Sequence, residues 1–318
     1  RVPPSLAYQA LEPLRRVADQ GVPVLVVPGN HERSRIPHAR FAAHPGIHVF
    51  HEPGTRRLVI RGRRLALSGF PYERGGVREG FGALLSATGW REGEADISLL
   101  CVHHCFEGAT VGPSSFTFRD GPDVIRAGDV PGGFAAVLAG HVHRHQVLTR
   151  DLSGRRLDAP VFYPGSVERT AFAEKDETKG YLVLEVAEDG IRSGGTVVDW
   201  QFRELPARPM VVHEVGGEGL EGPRMHEIVR RAIADAPPDA VLRLRIGGRM
   251  GPDARRALSA QRLRSLAPAT MNVEVVFVDE PRRIRRRSPR AGAPRPSPGA
   301  FFDSPLPGSG HTGRSAAR

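Results

Sequence analysis

Three short apolar runs constrain this chain more than any other feature. Residues 24–27, 97–102 and 134–139 are built almost entirely from Val, Leu, Ile, Ala, Cys and Phe. Runs of this length that are apolar on both faces read as strands covered on both sides. Each run stops abruptly at polar groups. The first ends in Gly29-Asn30-His31-Glu32, the second in His103-His104, and the third in Gly140-His141-Val142-His143. Open α/β sheets place their ligands at the carboxyl ends of strands, so these three groups can converge on one edge. Imidazoles suit Mn, Fe and Zn, while amides and carboxylates suit harder ions. The pattern therefore points to a site for metal and phosphate. Two metals about 3.5–4 Å apart can clamp a phosphate and activate a water for in-line attack.

The rest of the chain supplies a mixed α/β frame. Residues 5–20 predict a helix, with Leu6, Leu11, Leu14 and Val17 as its apolar stripe and Gly21 as its stop. A short helix is expected at 37–43 and a strand at 47–50. A hairpin is expected at 57–60 and 63–68 around Arg61-Gly62, and a helix at 79–88. Residues 105–133 read as a long irregular stretch, and a loop of that length is usually functional. Strands follow at 147–150, 159–163, 180–186 and 191–202. Residues 211–215, 222–234, 240–246, 252–266 and 272–278 then read as a β-α-β-α-β string. No internal repeat is present.

Charge is distributed unevenly. Residues 281–318 hold nine Arg and one Asp, so they carry +8 of the chain's net +10. That stretch is also rich in Pro, Ser and Gly and is expected to be disordered. The folded part is nearly neutral, which weakens any argument for nucleic-acid binding from global charge. Lys and Arg together number 45, and the only lysines are Lys175 and Lys179. No apolar run approaches the roughly 18 residues of a membrane span, and the start carries no secretory signal, so a cytoplasmic protein is expected. Two cysteines are too few for a disulfide framework.

The motifs carry a resemblance. Gly29-Asn30-His31-Glu32, Val102-His103-His104 and Gly140-His141-Val142-His143 resemble the third, fourth and fifth motifs of calcineurin-like metallophosphoesterases, in the family's order. The stretch PGSVERTAFAE at 164–174 is similar to the DNA-repair exonuclease branch, the SbcD-like nuclease subunits. The resemblance implies a two-sheet β sandwich flanked by helices over residues 1–205. It also implies a small α/β capping domain at 206–280, with 281–318 as a disordered tail. The implied activity is hydrolysis of DNA phosphodiesters, as a 3′–5′ exonuclease and single-strand endonuclease in DNA repair. The implied cofactor is a pair of Mn2+ ions, with Mg2+, Fe or Zn as alternatives. The implied partners are DNA, an SbcC-like ATPase and a second copy of the chain. Asn30, His103, His141 and His143 would be metal ligands, His103 being preferred to His104 because adjacent strand residues face opposite ways. His31 would stand beside the scissile phosphate, as transition-state stabiliser or as acid for the leaving oxygen, and Glu32 would orient its neighbours.

The family's first motif, D-x-H, and its second, a G-D pair, do not occur before the helix that begins near Ser5. The sequence therefore reads as an N-terminally truncated member with its first central strand missing and a damaged, inactive or impaired half-site. Two rivals remain: a phosphoesterase of small substrates, and a non-catalytic module that binds DNA or a partner. Four further groups have both a functional and a structural reading. Cys101 and Cys105 flank the histidines and read either as zinc ligands or as buried thiols. Arg33 and Arg35 read as phosphate contacts or solvated loop. Tyr163 and Arg169 read as substrate contacts or packing. The arginines at 282–287 read as a nonspecific nucleic-acid grip or a solvated tail.

Overall fold

A computed structural model of the chain describes residues 4–31, 44–189 and 194–278. The expected helix at 37–43, the roles of Glu32, Arg33 and Arg35, and the basic tail lie outside the described residues.

The chain opens with helix α1 (Pro4–Asp19), which leads into β1 (Val24–Val26) and β2 (Ile47–Val49). The two strands pair in parallel, Val24 opposite Ile47. Leu11, Leu14 and Ala18 of α1 pack on Val24, Val26, Ile47 and Val49. Val17, assigned to the apolar stripe from the sequence, is exposed instead. Ala18 takes its place because the close approach of helix and strand admits a small side chain.

The central sheet is built from β3 (Gly54–Ile60), β4 (Arg63–Gly69) and β5 (Ile97–Val102), then β10 (Ala136–Ala139), β11 (Gln146–Arg150) and β12 (Arg156–Tyr163). Helix α2 (Val77–Ala87) lies between β4 and β5 in sequence. The strand order is β11-β12-β10-β5-β4-β3. The inner pairs β4–β5, β5–β10 and β10–β12 are parallel, and the edge pairs are antiparallel. The expected alternation holds in β5. Ile97, Leu99 and Cys101 enter one core, and Leu100 and Val102 enter another. All six residues of β5 are buried, as the unbroken apolar run demanded.

The stretch expected to be irregular is stitched by four two-residue strands, β6 (Cys105–Phe106), β7 (Thr110–Val111), β8 (Phe116–Thr117) and β9 (Val124–Ile125). Its apolar residues, with Phe81 and Leu85 of α2, bury the face of the sheet that carries Leu100 and Val102. The opposite face is covered by Leu25 and Val27 and by a long hairpin, β13 (Lys179–Ala187) and β14 (Thr196–Leu205). The second layer of the expected sandwich is thus two separate two-stranded ribbons, β1–β2 and β13–β14. Strand β14 begins five residues later than the sequence reading placed it.

The β-α-β-α-β string forms a parallel three-stranded sheet of β15 (Met210–Gly216), β16 (Val241–Gly247) and β17 (Asn272–Val278). Helix α3 (Gly222–Asp235) lies on its own apolar core with Met225, Val229 and Leu244. The single helix expected at 252–266 is two, α4 (Pro252–Ala257) and α5 (Ala260–Leu266), broken at Leu258-Ser259. Leu258 is buried at that break, so the core interrupts a helix that local propensity would have continued. Among the described residues no helix is long and apolar enough to cross a membrane.

Candidate metal centre

Strands β1, β5 and β10 bring the expected groups together. The Nε2 of His103 stands 3.2 Å from the Oδ1 of Asn30, 73 positions earlier in the chain. The rings of His103 and His141 meet edge to face with centroids 5.2 Å apart. The choice between His103 and His104 follows from strand parity. His103 continues the face of Cys101, toward the β1 layer that carries Asn30. His104 continues the face of Val102 and is fully buried. Its ring packs 5.8 Å from Phe70, and its Nε2 accepts the Glu73 backbone N–H at 3.2 Å.

The backbone at His141 departs from an extended strand path. His141 has φ +80°, a left-handed conformation that is rare without glycine and costs about 1–3 kcal/mol. Ala139 and Val142 enter the same core, so strand parity slips by one between them. His141 takes up that slip, and its ring turns to the side of His103. Gly140 makes the approach possible. A Cβ there would stand 2.7 Å from the Nδ1 of His103, closer than real contacts allow.

Two residues that sequence reasoning did not single out build the walls. Tyr72 stacks on His104 at 4.9 Å and on His141 at 5.6 Å, and meets His103 edge-on. Its backbone N–H donates to the Pro28 carbonyl at 2.9 Å, which ties the Asn30 turn to the central sheet. No local signal marks Tyr72, because it acts only through the fold. Glu174 holds His143, whose Nδ1 donates to Oε1 at 2.9 Å. The ammonium of Lys179 is buried and donates to Glu174, Glu177 and the His143 carbonyl at 2.8, 3.1 and 3.0 Å. A compact ammonium can serve three acceptors at one point, whereas a planar guanidinium cannot. In a chain so biased to arginine, that rare lysine was the available signal.

Charge follows burial. The imidazole of His103 is lowered to about 3 by burial, with His141, His143 and His31 adding repulsion. His141 is lowered to about 4, chiefly by burial and then by His143 and His31, with Asp123 opposing. Both are neutral at physiological pH and keep a lone pair for a metal. Burial alone would raise the Glu174 carboxyl, but the hydrogen bonds from His143 and Lys179 outweigh it and hold it at about 2. His31 is exposed, and it is close enough to His103 and His141 to disfavour their protonation.

The cysteines, Tyr163 and Arg169 are structural. Both thiols are buried, free and pushed up to about 12, Cys101 by burial and Cys105 by burial and Asp123. Tyr163 is fully buried; its hydroxyl donates to the His104 carbonyl and accepts the Phe106 N–H. The guanidinium of Arg169 is spent on the carbonyls of Glu177 and Arg208.

The chain is similar to a DNA-repair protein. The DNA double-strand break repair protein Mre11 of Methanopyrus kandleri is 28% identical over 248 residues, covering 71% of this chain and 49% of that protein. The chain thus spans about half the length of this curated relative. No protein-family model matches it.

The donors fit part of a coordination shell. Two donors sharing one ion, each about 2.1 Å from it, stand about 3 Å apart at a right angle, and Asn30 Oδ1 and His103 Nε2 meet that spacing at 3.2 Å. The space beside Gly140 is shaped to the His103 ring. Yet among the described residues no group of three or more His, Cys, Asp or Glu side chains is arranged to hold a metal. The shell is open.

Proposed function

We propose that this chain is the catalytic-fold portion of a metal-dependent DNA phosphodiesterase of the DNA-repair exonuclease branch, acting in the cytoplasm with Mn2+ and an SbcC-like ATPase. The observation that carries the reading is the convergence of Asn30, His103 and His141 from the ends of three apolar strands. Similarity to a double-strand break repair protein supports DNA as the substrate. The sequence has no GxxxxGK[ST] motif, so ATP chemistry would come from the partner. Residues 206–280 would cap the site.

In this reading Asn30, His103, His141 and His143 hold one side of the metal centre. Bound divalent ions would supply Lewis acidity and lower the pKa of the attacking water. His31, exposed at the end of its turn, donates a proton to the oxygen that leaves phosphorus as the P–O bond breaks. Neutral His103 and His141 each offer a ring-nitrogen lone pair to a metal. Carboxylate ligands are needed to close the shell. This chain is expected to bind fewer than two Mn2+ and to cleave slowly.

The open shell also favours a second reading, a module that binds DNA without cutting it. End-labelled single- and double-stranded DNA and a panel of small phosphate esters separate these readings, assayed with Mn2+ on this protein. Mn2+-dependent DNA cleavage that is lost in His31→Ala and His103→Ala supports the proposal. Ester hydrolysis without DNA cleavage, or DNA binding with neither activity, overturns it.

A further inference from the structure

The network around His143 has a built-in direction. Glu174 Oε1 meets two groups that can reverse their hydrogen bonds, the His143 ring at 2.9 Å and the Thr170 hydroxyl at 3.0 Å. Glu174 Oε2 meets two groups that can only donate, the Lys179 ammonium at 2.8 Å and the Thr170 backbone N–H at 3.3 Å. A carboxylate only accepts, so the ring nitrogen facing it must carry the proton. The Nε2 on the opposite side of the ring is then left with its lone pair.

We propose that Glu174, oriented by Lys179 and Thr170, is a positioning residue that fixes His143 in the Nδ1–H tautomer and so makes its Nε2 a metal donor. The inference rests on the ligand role proposed above for His143. Carboxylate partners of this kind hold ligating imidazoles in orientation and raise their basicity. Glu174 acts through its hydrogen bond to His143. The Lys179 ammonium keeps its second contact with Glu177 when Glu174 is changed, so the site retains a partner for that charge.

The arrangement makes an unusual demand on Glu174→Gln. The side-chain oxygen must stay on the obligate donors, Lys179 and Thr170 N–H. The new amide NH2 then faces Thr170 Oγ1 and His143 Nδ1, both of which can accept. The near-isosteric variant should therefore invert the tautomer to Nε2–H rather than merely loosen the ring.

The test is long-range 1H–15N correlation NMR of the 318-residue chain at neutral pH, with the His143 signal assigned by its loss in His143→Asn. Wild type is expected to show Nδ1–H and Glu174→Gln to show Nε2–H. Mn2+ affinity, read by the electron paramagnetic resonance of free Mn2+, should fall about 10- to 100-fold in the variant. A wild-type Nε2–H tautomer overturns the proposal without any variant. An unchanged Nδ1–H signal in Glu174→Gln overturns it as well. If both tautomers are as expected but wild type binds no Mn2+, the positioning stands and the ligand reading of His143 fails.

Discussion

Tyr163→Phe removes one oxygen from the floor beneath the histidine cluster. The hydroxyl donates to the His104 carbonyl at 3.0 Å and accepts the Phe106 N–H at 2.8 Å, all within the central core. Its burial raises the phenol well above its usual range, so it is a neutral donor at every working pH. Phenylalanine fills the same volume but leaves the Phe106 N–H without this acceptor. A buried polar group deprived of its partner costs about 1–3 kcal/mol. Taking the middle of that range and a urea slope of about 3 kcal/mol per M, the midpoint should fall by about 0.7 M. Trp90 is a suitable reporter because its ring packs 4.7 Å from Phe134 in the same core. Urea unfolding followed by tryptophan fluorescence checks the figure. An unchanged midpoint would refute the structural role. A lowered rate of DNA cleavage with an unchanged midpoint would instead restore Tyr163 as a substrate contact.

Two further predictions address the site and the charge balance. Gly140→Ala places a methyl where the His103 ring lies, 2.7 Å from Nδ1, so Mn2+ affinity should drop while circular dichroism stays native. Equal affinity in the variant would mean that His103 is not a ligand. The Asp96 carboxyl is lowered to about 2 from an ordinary 3.8, by side-chain and then backbone hydrogen bonds from Arg64. A depressed carboxyl stabilises the fold fully above its unfolded value and loses that contribution as pH falls through the folded value. Arg64→Ala should therefore flatten the loss of thermal stability between about pH 4 and pH 2, as scanning calorimetry would show. An identical acid limb would rule that linkage out.

Much of the site was legible in the sequence because its parts sit at the ends of runs buried on both faces. Such runs admit few residue types, and the change from apolar to polar marks where a strand leaves the core. Asn30, His103 and His141, which the structure brings together, were all picked out at the ends of such runs. The α1 stripe was misread at Val17 because a helix's exposed edge and its packed edge differ by one residue, and only the partner strand decides between them. The break at Leu258 escaped for a similar reason: residues 252–266 all favour helix locally, and the core beneath them sets the bend. Tyr72 was invisible, since nothing near it in sequence relates it to three histidines 31 or more residues away. Lys179 left a faint trace, as a lysine where the composition favours arginine.

The sequence by itself determined which strands are buried and which polar groups stand at their ends, because burial on both faces is a local property written in residue type. Tertiary structure alone decided which of two adjacent histidines meets Asn30, how far His141 turns from the extended path, and which carboxylate holds His143. These depend on strand parity across a sheet, on one left-handed residue and on a buried lysine. Each is a relation between residues distant in sequence, and no local pattern carries it.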